Sequence, residues 1–406
     1  MLNELIAIHN RTTAAVPTEF RRYLHRQINW DNRLIGLVGA RGTGKSTLVL
    51  QHYLDAYNNV EECLYLSADH PIVLSAGIYE AVAEYFKFYG TCVIIDEVHK
   101  QPDWSHDIKA LYDSFPGKKF IILGSSALEL THSKGDLSRR MLMYRLKGLS
   151  FREYLNFSYS LQLEPVKFET LIQNHLSLSQ YIVRSTPAIL KEFHNYCAGG
   201  YYPFFIEHDR NEYYQMIENV IDKVIYEDIP SIRALQSQSS VKLKRLLAYL
   251  SVSRVPVFSV SSLTNEIDVT RDTLYEFFDL LDRAAVVHVV KTRTKNVRSF
   301  RKSKILLTNP NLYYAISNAL WASDIERGNL RESFFASQFH HTAQLNTSEQ
   351  VDFLVTTAGG SYEIEVGGRN KDAGQIAGLA NGLVFKGDIE YGAGLELPLY
   401  LAGFLY

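Results

Sequence analysis

Gly39, Ala40, Arg41, Gly42, Thr43, Gly44, Lys45 and Ser46, with Thr47 after them, fit the spacing G-x-x-x-x-G-K-[ST]. Each residue type has a chemical reason to be there. Glycines let the backbone curl so that successive N–H groups point inward at the oxygens of an anion. A helix starting at the end of the run adds partial positive charge at its N-terminus. Lys45 can then reach the β- and γ-phosphates of a nucleoside triphosphate, and the Ser46 hydroxyl can ligate Mg²⁺. Residues 39–47 are therefore the candidate site for ATP with Mg²⁺.

Such a site needs an acid on a neighbouring strand. Thr91-Cys-Val-Ile-Ile-Asp96-Glu97 supplies an apolar run ending in two carboxylates. Asp96 is the candidate for the metal side, sharing the ion with Ser46, and Glu97 is placed to polarise an attacking water, which separates a hydrolase from a kinase. The next apolar run ends at Ser125 and Ser126, either a contact to the γ-phosphate or its water, or a plain turn. Farther on, Arg139 and Arg140 offer guanidiniums. One could stabilise charge on the transferring phosphoryl group, in cis or across a subunit boundary, or both could be solvated.

The elements that must position these groups are legible as a pattern. The compact apolar run 34–38, the glycine cluster and the helically spaced 46–54 read as strand, loop and helix. Buried strands are expected at 63–68, 92–95 and 119–123, with helices at 78–88 and 104–114 between them and a short helix at 18–27. Strands alternating with helices over about 150 residues imply a parallel sheet covered on both faces. Residues 150–235 read as aromatic-rich helices. Residues 241–251, 260–267 and 270–283 read as three helices, and 285–290 as a strand leading into a basic loop, the pattern of a winged helix-turn-helix. Strands at 305–308, 351–356 and 362–366, helices at 331–342 and 372–379, and two last strands make a small α/β unit.

These residues resemble a family of bacterial and archaeal AAA-type ATPases that carry a C-terminal domain of uncharacterised function. The resemblance rests on the loop 39–46, on Cys63-Leu-Tyr-Leu-Ser-Ala-Asp69, on Ile95-Asp-Glu-Val-His99 and on Leu123-Gly-Ser-Ser-Ala127. It continues in Gly148-Leu-Ser-Phe-Arg-Glu-Tyr154 and Tyr196-Cys-Ala-Gly-Gly-Tyr-Tyr-Pro203. It implies four parts: an AAA-like P-loop domain over 1–149, a helical connector over 150–235, a winged helix over 236–303, and a tail over 304–406 resembling the PD-(D/E)-x-K nuclease fold.

In that nuclease fold two carboxylates on adjacent strands bind Mg²⁺, and a lysine two residues after the second assists. Asp352 and Glu365 fit the strands, and Glu332 is a candidate third acid, but the lysine position holds Gly367. Lys371 could reach back. A degenerate, structural or binding module is the preferred reading of the tail. Residues 291, 293, 295, 298, 301, 302 and 304 are all Lys or Arg, a stretch that could track phosphates nonspecifically. The helix expected at 270–283 carries Asp272, Glu276, Asp279 and Asp282 against Arg271 and Arg283, which disfavours base readout. His99 is read as a residue at a helix start, with nucleotide sensing as the other possibility.

The chain has 406 residues, so two to four domains are expected, and a net charge of −2 excludes a chain-wide attraction to nucleic acid. Cys63, Cys92 and Cys197 form no C-x-x-C pair and read as buried reduced thiols. With no apolar run long enough for a membrane helix and charged residues near the N-terminus, a cytoplasmic protein is expected. The expected fold is α/β, with ATP and Mg²⁺ as cofactors and an unidentified protein partner.

Overall fold

In the computed structural model the chain divides into two compact units, Met1–Gly148 and Leu149–Tyr406. The structure describes residues 1–124, 137, 139–186, 188–232, 237–253, 260–293, 303–320, 325–339 and 343–406.

The first unit is built on five parallel strands, β1 (Leu34–Val38), β2 (Cys63–Ser67), β3 (Cys92–Asp96), β4 (Lys119–Gly124) and β5 (Leu142–Arg145). Their order is β2-β3-β4-β1-β5, so β1, which feeds the glycine loop, has a neighbour on each side. β1 and β3 are buried at every position, as strands covered on both faces must be. Among the described residues the unit also holds helices α1 (Leu2–Ala14), α2 (Lys45–Ala56), α3 (Pro71–Ala76), α4 (Ile78–Phe88) and α5 (Trp104–Ser114). Ile78, Val82, Tyr85 and Phe86 of α4 join Ile108 and Leu111 of α5 in one apolar cluster with Val93, Ile95, Phe120 and Ile122 of the sheet.

Two local readings need correction. The lead-in forms α1 rather than a helix over 18–27, where only a 3₁₀ turn, Tyr23–Arg26, occurs. Leu2 and Leu5 of α1 enter the core, and His9 Nδ1 accepts the Tyr65 backbone N–H at 2.9 Å, blunting the open side of edge strand β2. Burial lowers the His9 pKa to about 4, which keeps the ring neutral as that acceptor. The second correction is β5, an edge strand absent from the sequence reading, whose positions are exposed or half-buried.

The second unit opens with helices Phe151–Tyr159, Phe168–Ser185, Ile189–Gly199 and Arg210–Lys223. Helices Ser237–Val252, Val260–Ile267 and Arg271–Arg283 follow, then an antiparallel ribbon of β6 (Val287–Val290) and β7 (Lys304–Leu307). After helices Pro310–Ala319 and Arg327–Ser337 comes a five-stranded mixed sheet of β8 (Gln344–Thr347), β9 (Phe353–Thr357), β10 (Gly360–Gly367), β11 (Gly382–Lys386) and β12 (Glu396–Pro398). β8, β9 and β10 form an antiparallel meander, and β11 and β12 run parallel to β10. The helix expected at 372–379 is only a 3₁₀ turn, Gly374–Ile376. Gly374 and Gly378 interrupt it, and Gly378 has φ +87°, a left-handed conformation that ends helical propagation.

The expected boundaries at 235 and 303 fall inside this unit, whose two ends share a core. Phe151 packs edge-to-face on Phe193, Tyr400 and Phe404. Ser150 Oγ and Arg152 Nε both donate to the Tyr406 carbonyl, at 2.8 and 2.9 Å. The Gly199-Gly200 pair is explained by crowding. A Cβ on Gly199 would lie 1.7 Å from the Arg210 guanidinium, and one on Gly200 2.7 Å from the Tyr154 ring. Asn311 then locks the segment, accepting from Tyr201 N at 2.7 Å and donating to the Tyr196 and Cys197 carbonyls. All three cysteines are free and buried. Among the described residues, no helix is long and apolar enough to cross a membrane.

Candidate nucleotide-binding site

The loop 39–44 leaves β1 and enters α2 at Gly44, whose φ of +86° is left-handed. Residues with a Cβ rarely adopt that conformation, so the glycine is required there. Gly39 is required for a different reason: a Cβ on it would lie 2.2 Å from the Leu146 carbonyl oxygen. Thr43 is fully buried and closes the loop by donating from Oγ1 to the Ala40 carbonyl at 2.8 Å.

Lys45 is buried, and its ammonium donates to the Gly39 and Ala40 carbonyls at 3.0 and 2.9 Å. These are neutral acceptors belonging to the loop itself, so a phosphate entering the loop offers the ammonium a stronger, charged partner. Ser46 Oγ donates to Asp96 Oδ2 at 2.5 Å. The hydroxyl of α2 and the carboxylate at the end of β3 therefore meet at one point. Asp96 Oδ2 also accepts from the Tyr65 hydroxyl at 3.0 Å, and Oδ1 from the Glu97 backbone N–H at 2.8 Å. Asp96 is 4% exposed, and desolvation raises its pKa above the ordinary carboxylate range although the Ser46 hydrogen bond opposes this. A hard cation beside a buried carboxylate and hydroxyl relieves that penalty, so the donor set fits Mg²⁺.

Glu97 sits in the left-handed region at φ +49°. Its Oε2 lies 3.2 Å from His99 Nε2, and the His99 side chain is almost wholly buried. His99 is thus in contact with the glutamate read as the water-polarising group. Tyr65 and Arg22 are additions that sequence reasoning missed. Tyr65 lies on β2, where alternation alone marks it as core. Arg22 stands before the first strand, with no spacing to tie it to the loop.

Other expected residues lie elsewhere. The Arg140 guanidinium pairs with Asp113 of α5 at 3.1 Å and lies 5.7 Å from the Tyr112 ring centroid. Ser125 and Ser126 fall outside the described residues, as do Lys295, Arg298, Arg301 and Lys302 of the basic stretch.

The carboxylates of the tail do come together, but not around a space for a metal. Lys304 Nζ lies 2.7 Å from Glu332 and 2.9 Å from Asp352, with the lysine side chain 8% exposed. Asp352 Oδ2 accepts the Val366 backbone N–H at 2.9 Å. Lys371 reaches back to pair with Glu365. Its stem crosses Gly367, where a Cβ would meet Lys371 Cβ and Cγ at 2.6 Å. The glycine in the lysine position of the nuclease pattern thus makes room for the relocated lysine. Burial lowers the Lys304 pKa, but the two carboxylates more than offset it and the net shift is upward. Burial raises Glu332 to about 7. Among the described residues, no group of three or more His, Cys, Asp or Glu is arranged to hold a metal ion. A catalytic Mg²⁺ does not fit this cluster, because an internal ammonium already holds the position between Asp352 and Glu332.

Comparison with known proteins gives two family matches. Residues 31–155 match the model of an AAA domain, and residues 190–322 that of a domain of unknown function, DUF8612. The AAA match thus spans all five strands of the first unit's parallel sheet. An uncharacterized protein of Methanocaldococcus jannaschii, MJ1637, is 29% identical over 308 residues, covering 72% of this chain and 63% of the relative. The chain therefore spans less than two thirds of that relative's length. Among solved structures, an Aeropyrum pernix ORC1 protein in complex with DNA aligns over 78% of this chain and 93% of its own, at 11% identity and a TM-score of 0.30. AMPPCP-bound DnaA from Aquifex aeolicus aligns over 64% of this chain and 84% of its own, at 15% identity and a TM-score of 0.27. TM-scores of that size carry no inference about fold or function.

Proposed function

We propose that this chain binds ATP with Mg²⁺ at residues 39–47, hydrolyses it, and transmits the nucleotide state to residues 149–406 and to a protein partner. The observation that carries the reading is the meeting of Ser46 Oγ and Asp96 Oδ2 at 2.5 Å beside a lysine that donates to its own loop's carbonyls. Lys45 neutralises phosphate charge, Ser46 and Asp96 hold the metal, and Glu97 orients water. Mg²⁺ supplies charge neutralisation at the β- and γ-oxygens when bound. His99 sets where Glu97 points before nucleotide arrives. Arg140, once released from Asp113, is the candidate for charge stabilisation at the γ-phosphate, from this chain or a second copy.

In this reading the tail does no metal-dependent phosphodiester chemistry, because Lys304 takes the cation's place. The three helices and ribbon over 237–307 act as a winged helix for protein contact. A second reading, nonspecific nucleic-acid binding, is favoured by one observation, the seven basic residues at 291, 293, 295, 298, 301, 302 and 304. The acids at 272, 276, 279 and 282 oppose its extension to base readout.

The test is steady-state ATP hydrolysis with Mg²⁺ for the unaltered chain, Lys45→Ala and Glu97→Gln, each with and without duplex DNA. Turnover lost in both variants and indifferent to DNA is expected. Stimulation by DNA moves the function to the second reading. Nucleotide binding with no turnover in any condition removes hydrolysis and leaves a nucleotide-gated switch.

A further inference from the structure

Arg22 lies outside every motif and is 5% exposed. Its guanidinium donates to three backbone carbonyls distant in sequence: Thr43 through Nη1, and Lys147 and Gly148 through Nη2, the latter two at 2.8 Å each. The first belongs to the glycine loop. The other two belong to the segment by which the chain leaves its first unit, which ends at Gly148. The loop and this segment also touch directly. Leu146 N donates to the Val38 carbonyl at 2.8 Å, and Gly39 has no room for a Cβ because the Leu146 carbonyl is there.

The peptide between Thr43 and Gly44 explains why one arginine matters. A trans peptide is planar, with its C=O and N–H pointing in opposite directions, and no described peptide is cis. Holding the Thr43 carbonyl on Arg22 therefore aims the Gly44 N–H away from Arg22, as a backbone donor to a phosphate in the loop would need. A guanidinium is a rigid planar fork, so a shift of the Thr43 carbonyl that carries Nη1 with it also moves Nη2 on the Lys147 and Gly148 carbonyls.

We propose that Arg22 is a positioning residue that aims the Gly44 N–H into the phosphate loop and registers the loop's occupancy at residues 146–148. The inference rests on the ATP reading above and adds to it the residue that carries the signal out of the loop.

The experiment uses the full chain and AMPPCP with Mg²⁺ as the probe. Amide hydrogen exchange over 143–150 is followed with and without nucleotide in the unaltered chain, Arg22→Ala and Arg22→Lys. Melting temperatures and kcat and KM for ATP are measured alongside. In the unaltered chain nucleotide slows exchange over 146–149. Arg22→Ala loses that response, and its kcat falls by about tenfold or more while KM moves less, as expected when a reacting group is misaimed. Arg22→Lys keeps a compact point charge without the fork, so it recovers part of kcat and little of the exchange response. If Arg22→Ala does not fold, Arg22→Lys carries the test. A nucleotide response at 146–149 that persists undiminished in the variants overturns the inference and leaves the ATP reading standing. Failure of the unaltered chain to bind AMPPCP overturns both.

Discussion

The two lysine–carboxylate sites of this chain use similar residues to opposite ends. In the first unit Lys45 rests on two loop carbonyls while the carboxylate, Asp96, is held by hydroxyls and a backbone N–H. In the second, Lys304 rests directly on Asp352 and Glu332. Neutral carbonyls are weaker partners for the Lys45 ammonium than a phosphate is, so an anion gains from entering. Two carboxylates cancel Lys304 before any ligand arrives, and its ammonium takes the place of a cation. A lysine's partners, more than its proximity to acids, separate a binding site from a buried ion cluster.

The largest expected effect is at the lysine of the glycine loop. Lys45→Ala should reduce ATP turnover by roughly 1,000-fold or more, because removing the phosphate-neutralising cation removes charge stabilisation that water cannot restore in an enclosed loop. The fold should persist, since the lost partners are carbonyls with access to solvent once the chain is truncated. Turnover within tenfold of the unaltered chain in a phosphate-release assay would remove Lys45 from the mechanism and erase the contrast between the two sites.

Lys304→Met should act in the opposite sense, on stability rather than turnover. It leaves Asp352 and Glu332 facing each other with no counter-ion, a change that costs about 3–5 kcal/mol at buried pairs. Chemical denaturation should register the loss. Adding Glu332→Gln to Lys304→Met should recover part of it as pH rises above about 7, since Glu332 then no longer has to ionise beside Asp352. A Lys304→Met protein as stable as the parent would mean that the cluster is hydrated and open to a metal.

How much of this could be read in advance follows from where the interactions lie in sequence. The loop, β1, β3 and α2 were legible because their chemistry is local: glycines at fixed offsets, an apolar run, a helical period. The helices 78–88, 104–114 and 260–267 agree with the structure to the residue. Lys304 reads as one more cation of a basic stretch, because nothing in its neighbourhood reveals Glu332 and Asp352, which arrive from a helix and from the bend before β9, 28 and 48 residues away. Arg22 and Tyr65 were invisible for the same reason. The 3₁₀ turn at Gly374–Ile376 was read as a helix because periodicity does not register the left-handed backbone of Gly378.

A smaller effect separates the two carboxylate environments. The Asp96 pKa is raised by desolvation, so the folded, ligand-free protein binds a proton there more tightly than the unfolded chain does. Stability from that group is present below the unfolded carboxylate range and is lost as pH rises through the folded value. At neutral pH the charged Asp96 is therefore a cost that Mg²⁺ offsets. Asp96→Asn should raise the melting temperature of the nucleotide-free protein at pH 7 while lowering Mg²⁺-dependent turnover by about 100-fold or more. A lowered melting temperature would show that the hydrogen bonds from Ser46, Tyr65 and the Glu97 amide outweigh the desolvation.

The finest distinction is pH itself at the closed cluster. Burial lifts Glu332 to about 7 from an unfolded value near 4.5, even with Lys304 beside it. Its contribution is complete below the unfolded value and disappears as pH rises through about 7, a span of roughly 3 kcal/mol at most. The second unit should therefore lose stability between those limits, and Glu332→Gln should flatten that part of the profile while leaving ATP affinity at residues 39–47 unchanged. Denaturation midpoints at pH 5, 6, 7 and 8 measure the slope. A slope that survives Glu332→Gln belongs to other groups, and the Lys304 ammonium would then hold Glu332 ionised throughout, making the cluster a fully charged triad.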